Sequence, residues 1–233
     1  MEAAALQSFG PNIWLSDGAV VEALGFQLPT RMVVIRLPGD DLLVWSPTAF
    51  SENLRRQIDT FGSVRHLIAP NSLHHLFLQE WQEAYPQATL YAAPGLRERR
   101  RDLQIDVELT GQRLEAWSGE VDYVVVRGNR ITTEAVFFHT RSRTALFTDL
   151  LQQYPPGWFR GWRASVARLN LIKGHEPAVP RTFRLAFTDR NAGRESLRQI
   201  MAWPSENVVI AHGAPVRHNG KASIAHAFLW LTG

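Results

Sequence analysis

Short apolar runs alternate with amphipathic stretches along the first half of this chain. That alternation restricts it to folds in which helices pack against a sheet. Residues 12–16, 31–37 and 41–46 are rich in Val, Ile, Leu and Trp, and Gly39-Asp40-Asp41 supplies a turn between the last two, which predicts a hairpin. After Ser51, Leu54, Ile58 and Phe61 recur at helical spacing until Gly62 ends the run. Residues 64–69 read as a strand that stops at Pro70-Asn71-Ser72. A helix is expected from there through Leu76, Phe77, Trp81 and Ala84, followed by a strand at 89–92 and a short helix near Pro94.

The middle, about 105–148, is strand-dominated in the segments IDVEL, VDYVVV, EAVFFH and TALFTD. Helices are expected around 160–173, 191–202 and 221–231, with a buried strand at 207–211 between the last two. Two β/α halves with their strands in the middle predict an α+β chain that packs sheet on sheet with helices outside. A length of 233 residues suits one such core, and no repeat or linker divides the chain, so one domain over residues 1–233 is the expectation.

The chain has no cysteine, which excludes disulfides, thiolate metal sites and cysteine nucleophiles. Its 25 basic and 22 acidic residues leave a net charge of only +3, too small to point to nucleic acid. No apolar run approaches the ~18 residues that span a bilayer, and the N-terminal stretch lacks the basic and apolar regions of a secretory leader. A cytoplasmic protein with no membrane partner is therefore expected.

Three polar clusters stand beside strand ends: Ala69-Pro-Asn-Ser-Leu-His74-His75, Phe147-Thr148-Asp149, and Val209-Ile-Ala-His212-Gly213. Open α/β sheets gather their ligand groups at strand C-terminal ends, and three histidines with one acid could converge there on a single metal. Taken singly, a strand-end histidine is more often a hydrogen-bonded structural residue, and a strand-end acid is commonly a cap.

In this order the clusters resemble the metallo-β-lactamase superfamily, and within it a bacterial family of degenerate metallo-hydrolase-like proteins, over residues 32–213. The resemblance implies a four-layer αββα sandwich. The superfamily's His-x-His-x-Asp-His falls on Pro70-Asn71-Ser72-Leu73-His74-His75, its later Gly-His on Gly128-Asn129, its bridging acid on Asp149 and its last histidine on His212. Pro70, Ser72 and Asn129 then occupy the first metal's positions, and none of them is a normal zinc ligand. The second metal's positions carry His74, His75, Asp149 and His212, with histidine replacing the usual acid at 74. Four protein ligands would close a tetrahedron, so catalysis needs one of them off the metal or a fifth position. The acid that ends the superfamily's first hairpin, a brace for the ligands, has no counterpart in Trp45-Ser46-Pro47-Thr48.

The function implied is a metal-dependent hydrolase with at most one metal. Zinc is the first expectation, with iron or manganese as alternatives, and the metal would activate water against an ester, amide or phosphoester of an unknown small molecule. Asp149 would double as the catalytic base. The competing expectation is a metal-free relative that kept the fold to bind a small molecule or a protein. His139, at the end of EAVFFH, is an additional candidate ligand, and Trp158 and Trp162 are candidate walls of a substrate pocket, or else pack the following helix onto the core or form a contact between copies in a homo-oligomer. Arg97-Glu-Arg-Arg-Arg101 reads as a solvated helix face. His66 reads as a core histidine, and His175, His218 and His226 receive no role.

Overall fold

The computed structural model describes residues 5–23, 25–117, 119–174 and 176–233, so His175 lies outside the described residues. The first half contributes β1 (Gln7–Gly10), β2 (Ile13–Asp17), a small hairpin of β3 (Val21–Ala23) and β4 (Phe26–Leu28), then β5 (Arg31–Arg36) and β6 (Asp41–Trp45). The β5–β6 hairpin turns through Gly39 and Asp40, both left-handed. Next come α1 (Glu52–Asp59), β7 (Ser63–Ala69), α2 (Leu78–Ala84), β8 (Thr89–Ala92), α3 (Leu96–Arg99) and β9 (Val107–Glu108). Ser51 caps α1 by accepting from the Leu54 amide. Except for β3 and β4, these strands form one sheet in the order β1-β2-β5-β6-β7-β8-β9.

The second half supplies β10 (Val121–Val126), β11 (Glu134–His139), β12 (Thr144–Gln152) and β13 (Asn207–His212), which form a second sheet in that order. Its helices are α4 (Trp162–Leu169), α5 (Arg181–Ala186), α6 (Arg190–Ala202), α7 (Gly220–Ala227) and α8 (Leu229–Thr232).

Strand periodicity sorts the apolar residues into layers. Val33 and Ile35 of β5 face the second sheet, where they share a core with Tyr123, Phe137, Leu146 and Val209. Their neighbours Met32 and Val34 face outward onto Leu54 and Ile58 of α1 and Trp81 of α2. In β11, Ala135 and Phe137 point inward, while Val136 and Phe138 pack under Leu197 and Ile200 of α6 and Phe228. Strands with helix on one side and sheet on the other must be apolar on both faces, which is why their sequences read as unbroken runs. The architecture is the four-layer αββα sandwich expected from the sequence.

Several boundaries differ from expectation. The helix expected directly after Ser72 starts at Leu78, because the Asn71 side chain accepts from the Leu73 and His74 amides and holds a turn there. The strand expected over 105–109 is reduced to β9, and the helix expected over 160–173 is confined to α4. The helix expected over 221–231 is broken at Phe228 into α7 and α8. Strands β1, β3 and β4 and helix α5 add to the elements anticipated.

His139 does not reach Asp149. The antiparallel register sets His139 opposite Thr144, at the start of β12, and Asp149 lies five residues further on, roughly 17 Å away at strand rise. Its Nδ1 bonds Ser142 Oγ at 2.7 Å, its Nε2 is buried without a partner, and burial pushes the imidazole down to about 4. A histidine whose folded pKa lies below its unfolded 6.5 adds stability that is complete above pH 6.5 and is lost as pH falls through 4. About 3 kcal/mol should disappear across that window. Urea denaturation at stepped pH should show a steeper acid loss for wild type than for His139→Gln, and parallel curves would clear His139 of any part in it.

Candidate metal centre

The turn after β7, the interior of β12 and the end of β13 bring His74, Asp149 and His212 together, so Asp149 does not close its strand as the sequence suggested. Among the described residues these three are the one group of three or more such side chains whose ligand atoms all lie within 4.8 Å of one another. His74 Nε2 stands 3.3 Å from Asp149 Oδ2, and His212 Nε2 stands 3.5 Å from Asp149 Oδ1. Four ligands at about 2.1 Å around a tetrahedral ion lie about 3.4 Å from one another, close to both His–Asp separations, so this donor set could hold a transition metal. Three protein donors leave a fourth position for water or substrate, in contrast to the closed set of four expected from the sequence.

The far side of each imidazole is braced. His212 Nδ1 donates to the Pro29 carbonyl at 2.7 Å, which fixes the tautomer that leaves Nε2 free to ligate. His74 Nδ1 shares a 2.8 Å hydrogen bond with the hydroxyl of Ser46, a residue in the left-handed region just past β6. A serine thus stands where the superfamily's bracing acid was missed. Beyond His212 the chain passes through Gly213 at φ +151, where a Cβ would lie 2.3 Å from the Gln153 carbonyl oxygen, so only glycine fits. Arg31 ties this end to the first sheet, donating to the carbonyls of Ile210 and Gly213 while pairing with Asp17.

Asn71 and Glu134 hold Asp149. The Asn71 amide donates to Asp149 Oδ2 at 2.7 Å and to Thr148 Oγ1 at 2.9 Å, while its oxygen fixes the turn that carries His74. Glu134, fully buried, accepts from the backbone amides of Thr148, Asp149 and Leu150 at 2.8, 2.8 and 3.0 Å. Burial and then the neighbouring Asp149 push the Glu134 carboxyl up to about 7. Burial would also raise Asp149, but the two imidazoles outweigh it and hold that carboxyl well below the usual range. Burial likewise lowers His212, and Asp149 overcomes it, so the His212 imidazole is raised.

The remaining expected residues sit elsewhere. His75 is not brought into the group: its ring turns outward, where Nδ1 meets the Arg100 guanidinium at 3.0 Å. Burial and then Arg99 and Arg100 keep its imidazole low. Arg100 also pairs with Asp102, so part of the basic run is tied down locally. At the positions assigned to the first metal, the Pro70 carbonyl accepts from Ala135, Ser72 faces the Thr132 hydroxyl, and Asn129 bonds the Phe183 carbonyl and the Ile131 amide. Trp158 and Trp162 lie beside the β3–β4 hairpin, Trp158 Nε1 donating to the Gln27 carbonyl and Trp162 packing edge-on against Phe26. That hairpin leads directly into Pro29.

Sequence reasoning missed Ser46, Asn71, Glu134 and Arg31. Glu134 alone carried a signal, as a lone acid opening an otherwise apolar strand.

A family model described as "Domain of unknown function (DUF4336)" matches residues 12–158. No curated protein sequence matches. Among solved structures the chain is similar to a metallo-β-lactamase from Pontibacter korlensis, at 11% identity and a TM-score of 0.65 over 99% of each chain. It is similar to one from Erythrobacter litoralis, solved with β-mercaptoethanol in the active site, at 13% identity and a TM-score of 0.66 over 100% of this chain and 97% of that one. A metal-soaked Flv1 flavodiiron core from Synechocystis sp. PCC6803 aligns at 12% identity and a TM-score of 0.66, over 98% of this chain and 61% of that one. At such identities the likeness is one of fold, and the fold is the metallo-β-lactamase type.

Proposed function

The chain belongs to the family described as "Domain of unknown function (DUF4336)", and we propose that it acts as a hydrolase with a single metal site. The observation that carries this is the approach of His74, Asp149 and His212, each imidazole braced through Nδ1 and offering Nε2. A divalent ion held there, zinc first and iron or manganese as alternatives, supplies Lewis-acid polarisation of water and of an ester, amide or phosphoester oxygen.

The protein's own groups do the rest. Asp149, kept ionised by its two histidine neighbours and the Asn71 amide, would accept a hydrogen bond from the attacking water and orient it. His74 is the more exposed of the two imidazoles, at 11% against 5% for His212. A histidine at 74 in place of a carboxylate makes the site one charge more positive, which favours an anionic substrate or leaving group.

A second reading is favoured by one feature. The two imidazoles already serve both oxygens of Asp149, and a raised His212 gives the carboxylate a proton-bearing partner without any ion. That arrangement suits a metal-free binding module. Calorimetric zinc titration separates the two. One ion per chain is expected, with hydrolysis of a nitrophenyl ester or phosphodiester lost to chelator and restored by zinc. A protein that takes up no zinc, iron or manganese at micromolar concentration is the metal-free module instead.

A further inference from the structure

Residues 158–185 hold six basic side chains (Arg160, Arg163, Arg168, Lys173, Arg181 and Arg184) against one acid, Glu176. The chain as a whole has 25 and 22, so everything outside this stretch is slightly acidic. None of the six forms an ion pair among the described residues, and Glu176 is turned to His226 at 3.5 Å. The stretch also carries a concentration of exposed large apolar residues. Trp162, Val166 and Leu169, spaced i, i+4 and i+7, make one outward stripe on α4, with Trp162 58% and Leu169 64% exposed. Leu185, 76% exposed, lies on α5, whose first turn is bonded to Asn170 just beyond α4.

We propose that α4 and its flanks dock the protein onto an anionic lipid surface, with the Trp162-Val166-Leu169 stripe at the acyl boundary and the arginines among the headgroups. No helix among the described residues is long and apolar enough to cross a membrane, so the contact is peripheral. Charge excludes the simplest alternative, since a second copy packed on this face would set six cations against six. Size argues against a stable protein partner. The exposed apolar side chains offer on the order of a few hundred Å², less than the ~800 Å² per partner of a stable protein interface. A short stripe edged by tryptophan and by long arginine stems is instead suited to shallow insertion, because the stems lie along apolar surface while their heads stay in water. Arg163 lies along the stripe in this way, its guanidinium 5.0 Å from the Trp162 ring centroid while its Nε donates to the Gly25 carbonyl.

The test is co-sedimentation of the whole protein with vesicles of phosphatidylcholine alone, or with about a third phosphatidylglycerol. Binding is expected only to the second kind and should weaken with salt. Two variants divide the contributions. Trp162→Ser/Val166→Ser/Leu169→Ser removes the stripe, and Arg160→Glu/Arg168→Glu/Lys173→Glu reverses three charges on side chains with no hydrogen bond or ion pair among the described residues. Each should lose about tenfold or more in vesicle affinity while keeping its circular dichroism spectrum. No wild-type binding to anionic vesicles at low salt overturns the proposal. So does full binding by the stripe variant, which would reduce the surface to bare electrostatic attraction of the kind an acidic protein would meet.

Discussion

Glu134→Ala is expected to destabilise the protein by about 3–5 kcal/mol, although the side chain touches no solvent and makes no ion pair. The reason lies in the second sheet. The β12–β13 pairing is interrupted between Phe147 and Gln152, and the β11–β12 pairing ends at Leu146, so the ladder leaves the amides of residues 148–150 without strand partners. The Glu134 carboxylate takes their place. Removing it orphans three buried N–H groups at about 1–3 kcal/mol each. Burial and the nearby Asp149 make this carboxylate costly, pushing it up to about 7, which keeps the expected loss toward the low end of that sum. Glu134→Gln keeps one acceptor oxygen but turns an amide NH₂ toward the backbone donors, so it should fall between alanine and wild type. Urea denaturation of the three proteins measures this directly. If the alanine variant came within about 1 kcal/mol of wild type, the amides would be finding other partners. Zinc affinity should fall in parallel, because the same three amides fix the backbone from which Asp149 projects.

The sandwich was legible because its signal is redundant. Each of β5, β6, β11 and β12 is apolar on both faces, and amphipathic helices such as α1 have one face to hide, so many residues report the same layering. The site was legible only as a set of strand ends. His212 ends β13 and its position follows from the sheet, whereas Asp149 stands inside β12, where the ladder to β13 is interrupted and not where the strand ends. His74 and His75 are adjacent in a turn, and neither periodicity nor a motif says which ring faces inward. That choice is made by contacts distant in sequence: the Ser46 hydroxyl, the Asp149 carboxylate and the Arg100 guanidinium. The missing hairpin acid was misleading for the same reason, since bracing depends on where an oxygen stands and not on whether a carboxylate carries it. The β12 interruption was hidden as well, because TALFTD reads as an ordinary strand that ends at Asp149, whereas β12 continues to Gln152.

The neighbouring histidines give the sharpest test of the metal centre. His74→Ala and His212→Ala should each weaken zinc binding by more than about a hundredfold, while His75→Ala should change it by less than about threefold. Each of the first two supplies one of only three protein donors, and each is held by a hydrogen bond on its other nitrogen, so the site has no spare ligand and no loose one. His75 faces a guanidinium that cannot share a cation with it, and the positive charge of Arg99 and Arg100 opposes metal capture on that side. Alignment to the superfamily pattern alone would have ranked His75 beside His212 and treated His74 as the departure. Calorimetric titration of the three alanine variants against wild type therefore discriminates the motif from the geometry. Should His75→Ala lose as much affinity as His212→Ala, the ring must swing inward on metal binding and the three-donor site would be wrong. Should His74→Ala alone be silent, the imidazole serves only to keep Asp149 ionised, and the ion rests on two ligands and solvent.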